Sequence, residues 1–200
     1  EELLPRINLR AEELVGRRDL VVKALVAKDL DEAVSALAGS EFSEDAAKAS
    51  AAYKERGDLR LFDTYLDHVF YKSLDRAMVA ESQSPDTKRV VSTDIDSYNV
   101  LAVLRGKYWN LSAVEISDLI VATTPKVTRD TIQKMINYEK ISEAIGELAS
   151  TVYKEIIPVA PKNDIDAIMQ LESGFEAMGI KKTISSFRTM FSVAIMLSAL

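Results

Sequence analysis

Residues 94–112 read DIDSYNVLAVLRGKYWNLS, and this stretch decides the fold. Its middle, residues 100–104, is apolar on every side, and the polar groups near it are few: Ser97, Asn99 and Arg105. A surface helix carries an apolar stripe and a wet face. A helix without a wet face is buried all round, and its few polar groups must find partners inside the protein. Asp94 or Asp96 is expected to cap the first turn, where a short carboxylate accepts from unpaired backbone N–H groups. Arg105 falls near the end, where a cation suits the helix dipole. The expectation is a spine over residues 94–106 that organises packing and performs no catalysis.

The rest of the chain reads as helices arranged around that spine. Upstream, Leu20, Ala24, Ala27, Leu30, Val34 and Leu37 recur at helical spacing, with a capping box at Asp29 and Glu32 dividing them into two short helices. Gly39 and Ser40 close that pair. Ser43 is expected to cap an Ala-rich helix lying on the outside, which ends at Gly57. Residues 61–80 form a long helix whose apolar face includes Phe62, Tyr65, Leu66, Val69 and Phe70. A break at residues 82–86 precedes the spine. Downstream, Ser112 and Glu115 form a second capping box, and Thr128 caps a helix over residues 129–137. A further helix is expected up to residue 157, its Gly146 tolerable where a neighbour packs close. Asn163 or Asp164 caps a helix ending near Gly179, and an apolar helix covers residues 182–200. No segment alternates with period two between hairpin turns, so the class is all-α.

Composition narrows the function. Two hundred residues with 48% apolar and 28% charged content suit a soluble globular chain. The net charge is −6, all of it in residues 1–100, which hold 14 basic and 20 acidic groups. No basic run interleaved with aromatics is present, which argues against nucleic acid as a partner. The chain has no cysteine and hence no thiolate nucleophile, thiolate metal site or disulfide. Residues 190–200 are the most apolar stretch and are too short to span a bilayer. The chain starts without Met and stops inside an apolar helix, so a segment of a longer protein is expected.

Chemistry is sparse. His68 is the only histidine; it falls off the apolar face and is expected to be partly exposed, without converging metal ligands. Asp94 with Asp96, and Asp164 with Asp166, read as helix caps rather than acid–base pairs. The acidic group Glu41, Glu44 and Asp45 is expected on a solvated loop. Gly16-Arg17-Arg18 and Gly106-Lys107 lack the pattern of a phosphate loop, so no ATP site and no other cofactor is expected. Asn99 and Arg105 are expected to fasten neighbouring elements to the spine, with contact between Arg105 and another subunit as the alternative. Tyr108 and Trp109 are expected to close the core at the spine's exit.

The order of elements repeats: a helix pair, an outer helix and an apolar inner helix occur in residues 1–112 and again in 113–200. Here the spine carries a resemblance. Its acidic–Tyr-Asn–aliphatic–Leu-Arg pattern, with Leu74-Asp75-Arg76-Ala77 upstream and the closing apolar helix, resembles the C subunit in the central stalk of archaeal A-type ATP synthases. The related d (AC39) subunit of vacuolar ATPases belongs to the same family. The resemblance implies an all-helical, funnel-shaped stalk protein of pseudo-repeated lobes. Such a protein is non-catalytic. It would couple a membrane rotor ring of proteolipid to the other central-stalk subunits, from the cytoplasmic side and without a membrane-spanning segment. Residues 185–188 do not reproduce Tyr98-Asn99, so equal internal contacts in both copies are not implied. The competing readings are a helical enzyme, which would need Asp-rich clusters or Glu-x-x-His sets, and a soluble helical adaptor unrelated to any ATPase.

Overall fold

The computed structural model describes residues 16–80, 85–121, 124 and 126–186. Among them every regular element is helical. The chain divides into two compact units, residues 1–70 and 71–200.

In the first unit, α1 (Arg18–Leu25) and α2 (Leu30–Ala36) meet where the capping signal stands. The Asp29 carboxylate accepts from the Glu32 N–H at 2.8 Å, while the Glu32 carboxylate reaches one residue further back, to the Lys28 N–H at 2.7 Å. Neither helix has a fully buried residue. Next comes α3 (Ser43–Arg56), which Gly57 ends in the left-handed conformation at φ 74°. Ser43 is its first helical residue rather than its cap. The Ala-rich helix does not lie outside either: Ala46, Ala49 and Ala52 are buried, because a methyl face lets a second helix approach closely. The Ala-rich helix packs against α2, and α4 (Arg60–Ala80) reaches it through the bond between His68 and Asp45; the first half of α4 buries Leu61, Tyr65 and Val69 but leaves Phe70 exposed.

The second unit is built on α5 (Pro85–Tyr108), 24 residues long. It starts at a proline, the residue favoured in a first helical turn. The predicted spine is its C-terminal half, and Val100, Leu101, Ala102, Val103 and Leu104 are all buried. Asp94 and Asp96 therefore lie in mid-helix and cap nothing; the helix begins nine residues before Asp94. After α5 come α6 (Ala113–Asp118) with both bonds of the Ser112–Glu115 capping box, and α7 (Arg129–Asn137) capped by Thr128. The Lys107 ammonium donates to the carbonyls of Ile136, at 2.8 Å, and Tyr138, closing the C-terminus of α7.

The long helix expected up to residue 157 is instead α8 (Ile141–Gly146) and two 3-10 turns, Glu147–Ser150 and Lys154–Ile156. Val152 is consequently exposed and Tyr153 wholly buried. The last described helix, α9 (Asp164–Ser186), passes through Gly179 without a break, and Asn163 accepts from the Asp166 N–H at 2.9 Å at its start. The inner helix expected from residue 182 is thus continuous with the outer one as far as Ser186, and residues 187–200 lie outside the described residues.

Against α5, α9 packs antiparallel, with Lys182 beside Thr93 and Glu172 beside Arg105. Two glycines permit close approaches in this unit. A Cβ on Gly106 would stand 2.7 Å from Ile116 Cγ1, and one on Gly174 would stand 2.7 Å from Ile156 Cβ. Among the described residues a Cβ on Gly146 would meet nothing within 4 Å, so no close neighbour there explains it.

Candidate functional site

The apolar spine carries one polar seam. Thr93, Asp96 and Asn99 recur at intervals of three, which stacks them along one side of α5. All three are buried, at 2%, 0% and 1% exposure. A polar group at that depth must be bonded or it costs free energy on the order of 1–3 kcal/mol.

Each finds a partner that is remote in sequence. Asp96 accepts from the Thr124 hydroxyl at 2.5 Å and the Tyr153 hydroxyl at 2.6 Å. Asn99 Oδ1 accepts from the Val121 N–H at 3.1 Å. Thr93 Oγ1 receives the ammonium groups of Lys182 at 2.6 Å and Lys126 at 3.3 Å. One residue before Asn99, Tyr98 stacks on Tyr71, ring centroids 4.4 Å apart, and donates to the Leu119 carbonyl at 2.7 Å. The Tyr153 ring in turn packs on Phe175 of α9, and the Lys182 ammonium lies 5.7 Å from its centroid.

Burial governs the electrostatics. It raises the Asp96 carboxyl, although the two hydroxyl donors and the nearby lysines pull the other way. It pushes Asp94, half-buried one residue after Thr93, up to about 6 against the pull of Lys182 and Lys126. Burial and the bond to Asp96 both raise the Tyr153 phenol, which stays protonated and donates. Two lysines thus stand near two carboxylates, with Thr93 beside them on the helix. The arrangement binds Leu119, Val121, Thr124, Lys126, Tyr153 and Lys182 to α5. No group of three or more His, Asp or Glu side chains is placed to hold a metal among the described residues.

The other singled-out residues fall elsewhere. Arg105 Nη2 donates to Glu172 Oε1 of α9 at 2.6 Å, but both side chains are about one-third exposed, so no carboxylate is left buried when the arginine is removed. Trp109 is half-buried, and its enclosed Nε1–H has no acceptor among the described residues. His68 corrects the expectation of exposure: it is 6% exposed and its Nδ1–H donates to the Asp45 carboxylate at 2.8 Å, tying α4 to α3. Asp45 is accordingly not part of a solvated acidic loop, and Glu41 pairs with Arg17. Asp166 belongs to the helix start, where the Lys162 N–H and Gln170 hold its carboxyl below the usual range.

Sequence reading misses Thr93 and the residues that meet α5 from outside: Thr124, Lys126, Tyr153, Glu172 and Lys182. Those five stand 28 to 89 positions from their α5 partners, a separation that leaves no local trace. The spacing of Thr93, Asp96 and Asn99 on an apolar helix is the available signal, since it announces partners without naming them.

Comparison with known proteins agrees with the resemblance carried by the spine. The family model for the ATP synthase (C/AC39) subunit matches residues 6–200. The C subunit of the A-type ATP synthase from Methanocaldococcus jannaschii is 25% identical over 159 residues, covering 79% of this chain and 38% of that protein. Its counterpart from Thermococcus kodakarensis is 29% identical over 166 residues, covering 80% of this chain and 43% of the relative. That from Pyrococcus abyssi is 30% identical over 141 residues, 68% of this chain and 36% of its own length. The match therefore spans about two fifths of each relative. No solved structure matches at a significant level. With a family model covering nearly the whole chain, and a buried helix where that family's pattern lies, this chain belongs to the ATP synthase (C/AC39) subunit family.

Proposed function

We propose that the chain acts in a non-catalytic central-stalk coupling subunit of an A/V-type ATP synthase. It links the membrane rotor ring to the rotating stalk, peripherally on the cytoplasmic side, and carries torque in ion-driven ATP synthesis or ATP-driven ion pumping. The division into lobes at residues 1–112 and 113–200 is part of this reading. Family membership carries it. The geometry supports it: a transmitting element must resist shear, and α5 is bonded through buried side chains to the Leu119–Val121 stretch, Thr124, Lys126, Tyr153 and α9. No helix among the described residues is long and apolar enough to cross a membrane.

The test is reconstitution into an A-type complex stripped of its own C subunit. The chain is expected to sediment with rotor ring and stalk, and to restore ion transport driven by ATP hydrolysis. Absence of both would leave a helical adaptor with another partner.

A further inference from the structure

Beside the polar seam, α6 and α7 enclose a half-open cleft of about 290 Å³. Its floor is aliphatic: Ile132 and Ile136 of α7 are nearly buried, and Ile120 and Val121 are half-buried. The Val121 wall is fixed from behind by its bond to Asn99. The rim is polar, with Ser117, Arg129 and Gln133 exposed.

Arg129 makes the rim electropositive. Among the described residues its guanidinium has no ion pair, whereas the adjacent Asp130 is engaged by Lys134 at 2.9 Å. Arg129 is also the first residue of α7, so its charge and the positive end of the helix dipole have the same sign at one edge. Such an edge favours an anion, and the floor below it favours an aliphatic side chain. The volume lies at the small end of ligand sites, about 300–1,000 Å³, and suits one or two side chains better than a cofactor.

We propose that this cleft docks an acidic, aliphatic segment of a partner subunit, an Ile, Leu or Val entering between Ile120 and Ile136 while a neighbouring Asp or Glu pairs with Arg129. The proposal rests on the coupling-subunit reading only for where the partner is sought.

The absence of cysteine makes the test direct. Gln133→Cys places a single thiol on the rim, where the native side chain makes a 3.4 Å bond to Asn137 and no other among the described residues. This variant is labelled with a maleimide, free and after assembly into the stripped A-type complex. It is also carried through assembly bearing a benzophenone maleimide, and the cross-linked peptide is sequenced. Expected are protection of the thiol by at least tenfold in labelling rate on assembly, and a cross-linked peptide with Asp or Glu beside an aliphatic residue. Arg129→Glu should weaken assembly at least tenfold at low salt with its melting temperature unchanged, since a carboxylate suits the first turn of a helix. Arg129→Lys should stay within about threefold of wild type, because a charge at the rim is retained.

Normal assembly with a freely labelled thiol, an unaffected Arg129→Glu, or a cross-linked peptide without a carboxylate each overturns the docking site and leaves the coupling reading standing. Failure of the wild-type chain to assemble at all overturns the coupling reading, and the docking site with it.

Discussion

At the scale of single residues, the buried carboxylates make the sharpest predictions. Asp94 binds its proton more tightly in the folded chain, at about 6, than at its ordinary value of 3.8. A carboxyl raised on folding adds stability that is fully present below the unfolded value and is lost as pH rises through the folded one. Unfolding free energies from urea titrations should therefore rise from pH 7.5 to pH 5 by roughly 1 kcal/mol, about half of the full effect that a shift of about two units reaches below the unfolded value. In Asp94→Asn this rise should shrink to the part that Asp96, also raised by burial, contributes; an unchanged pH slope would show that Asp94 does not cause it. Asp96 behaves differently, because its partners are hydroxyls that converge on it from two distant segments. Asp96→Ala strips both hydroxyls of this acceptor and should cost about 2–4 kcal/mol in chemical denaturation. Tyr153→Phe, which removes one donor to a buried carboxylate, should cost about 1.5–3 kcal/mol. Arg105→Ala, by contrast, breaks a pair that water already reaches and should cost no more than about 1 kcal/mol.

At the scale of elements, glycines separate intrinsic helix preference from packing. Gly174→Ala gains about 1 kcal/mol of helix propensity. It also drives a Cβ into Ile156 Cβ, a branch point that cannot swing aside, and over-packing of that kind costs about 1–3 kcal/mol. Net destabilisation is expected. Gly146→Ala meets open space and should stabilise by about 0.5–1 kcal/mol. Thermal melts of the two variants should move in opposite directions. Movement in the same direction would mean that α9 or the Lys154–Ile156 turn adjusts freely.

At the scale of the whole molecule, burial grades the chain. Amides of α5 around residues 98–104, enclosed on all sides, should be the last to exchange with solvent, and those of α1 and α2, which have no fully buried residue, the first. Hydrogen exchange read by mass spectrometry checks this order directly. Equal protection in α2 and α5 would mean that the spine is not the most stable part of the chain.

Sequence alone determined the helical class, the buried spine at residues 100–104, the caps at Asp29, Ser112 and Thr128, and the family. These follow from local periodicity, from short-range bonds between a side chain and its own helix, and from a motif contiguous in the chain. Tertiary structure decided the rest. A carboxylate before an apolar run has the local meaning of a cap, yet the helix that holds Asp94 and Asp96 starts at Pro85, and Asp96 serves residues 28 and 57 positions away. His68 lies off the apolar face of its own helix and is buried only because α3 brings Asp45 to it across 23 positions. The stretch after Gly146 keeps a helical apolar pattern but breaks into 3-10 turns, and Tyr153 reaches Asp96 from the segment between them. A buried polar atom requires a partner but does not encode which one, and only the packing of distant segments supplies it.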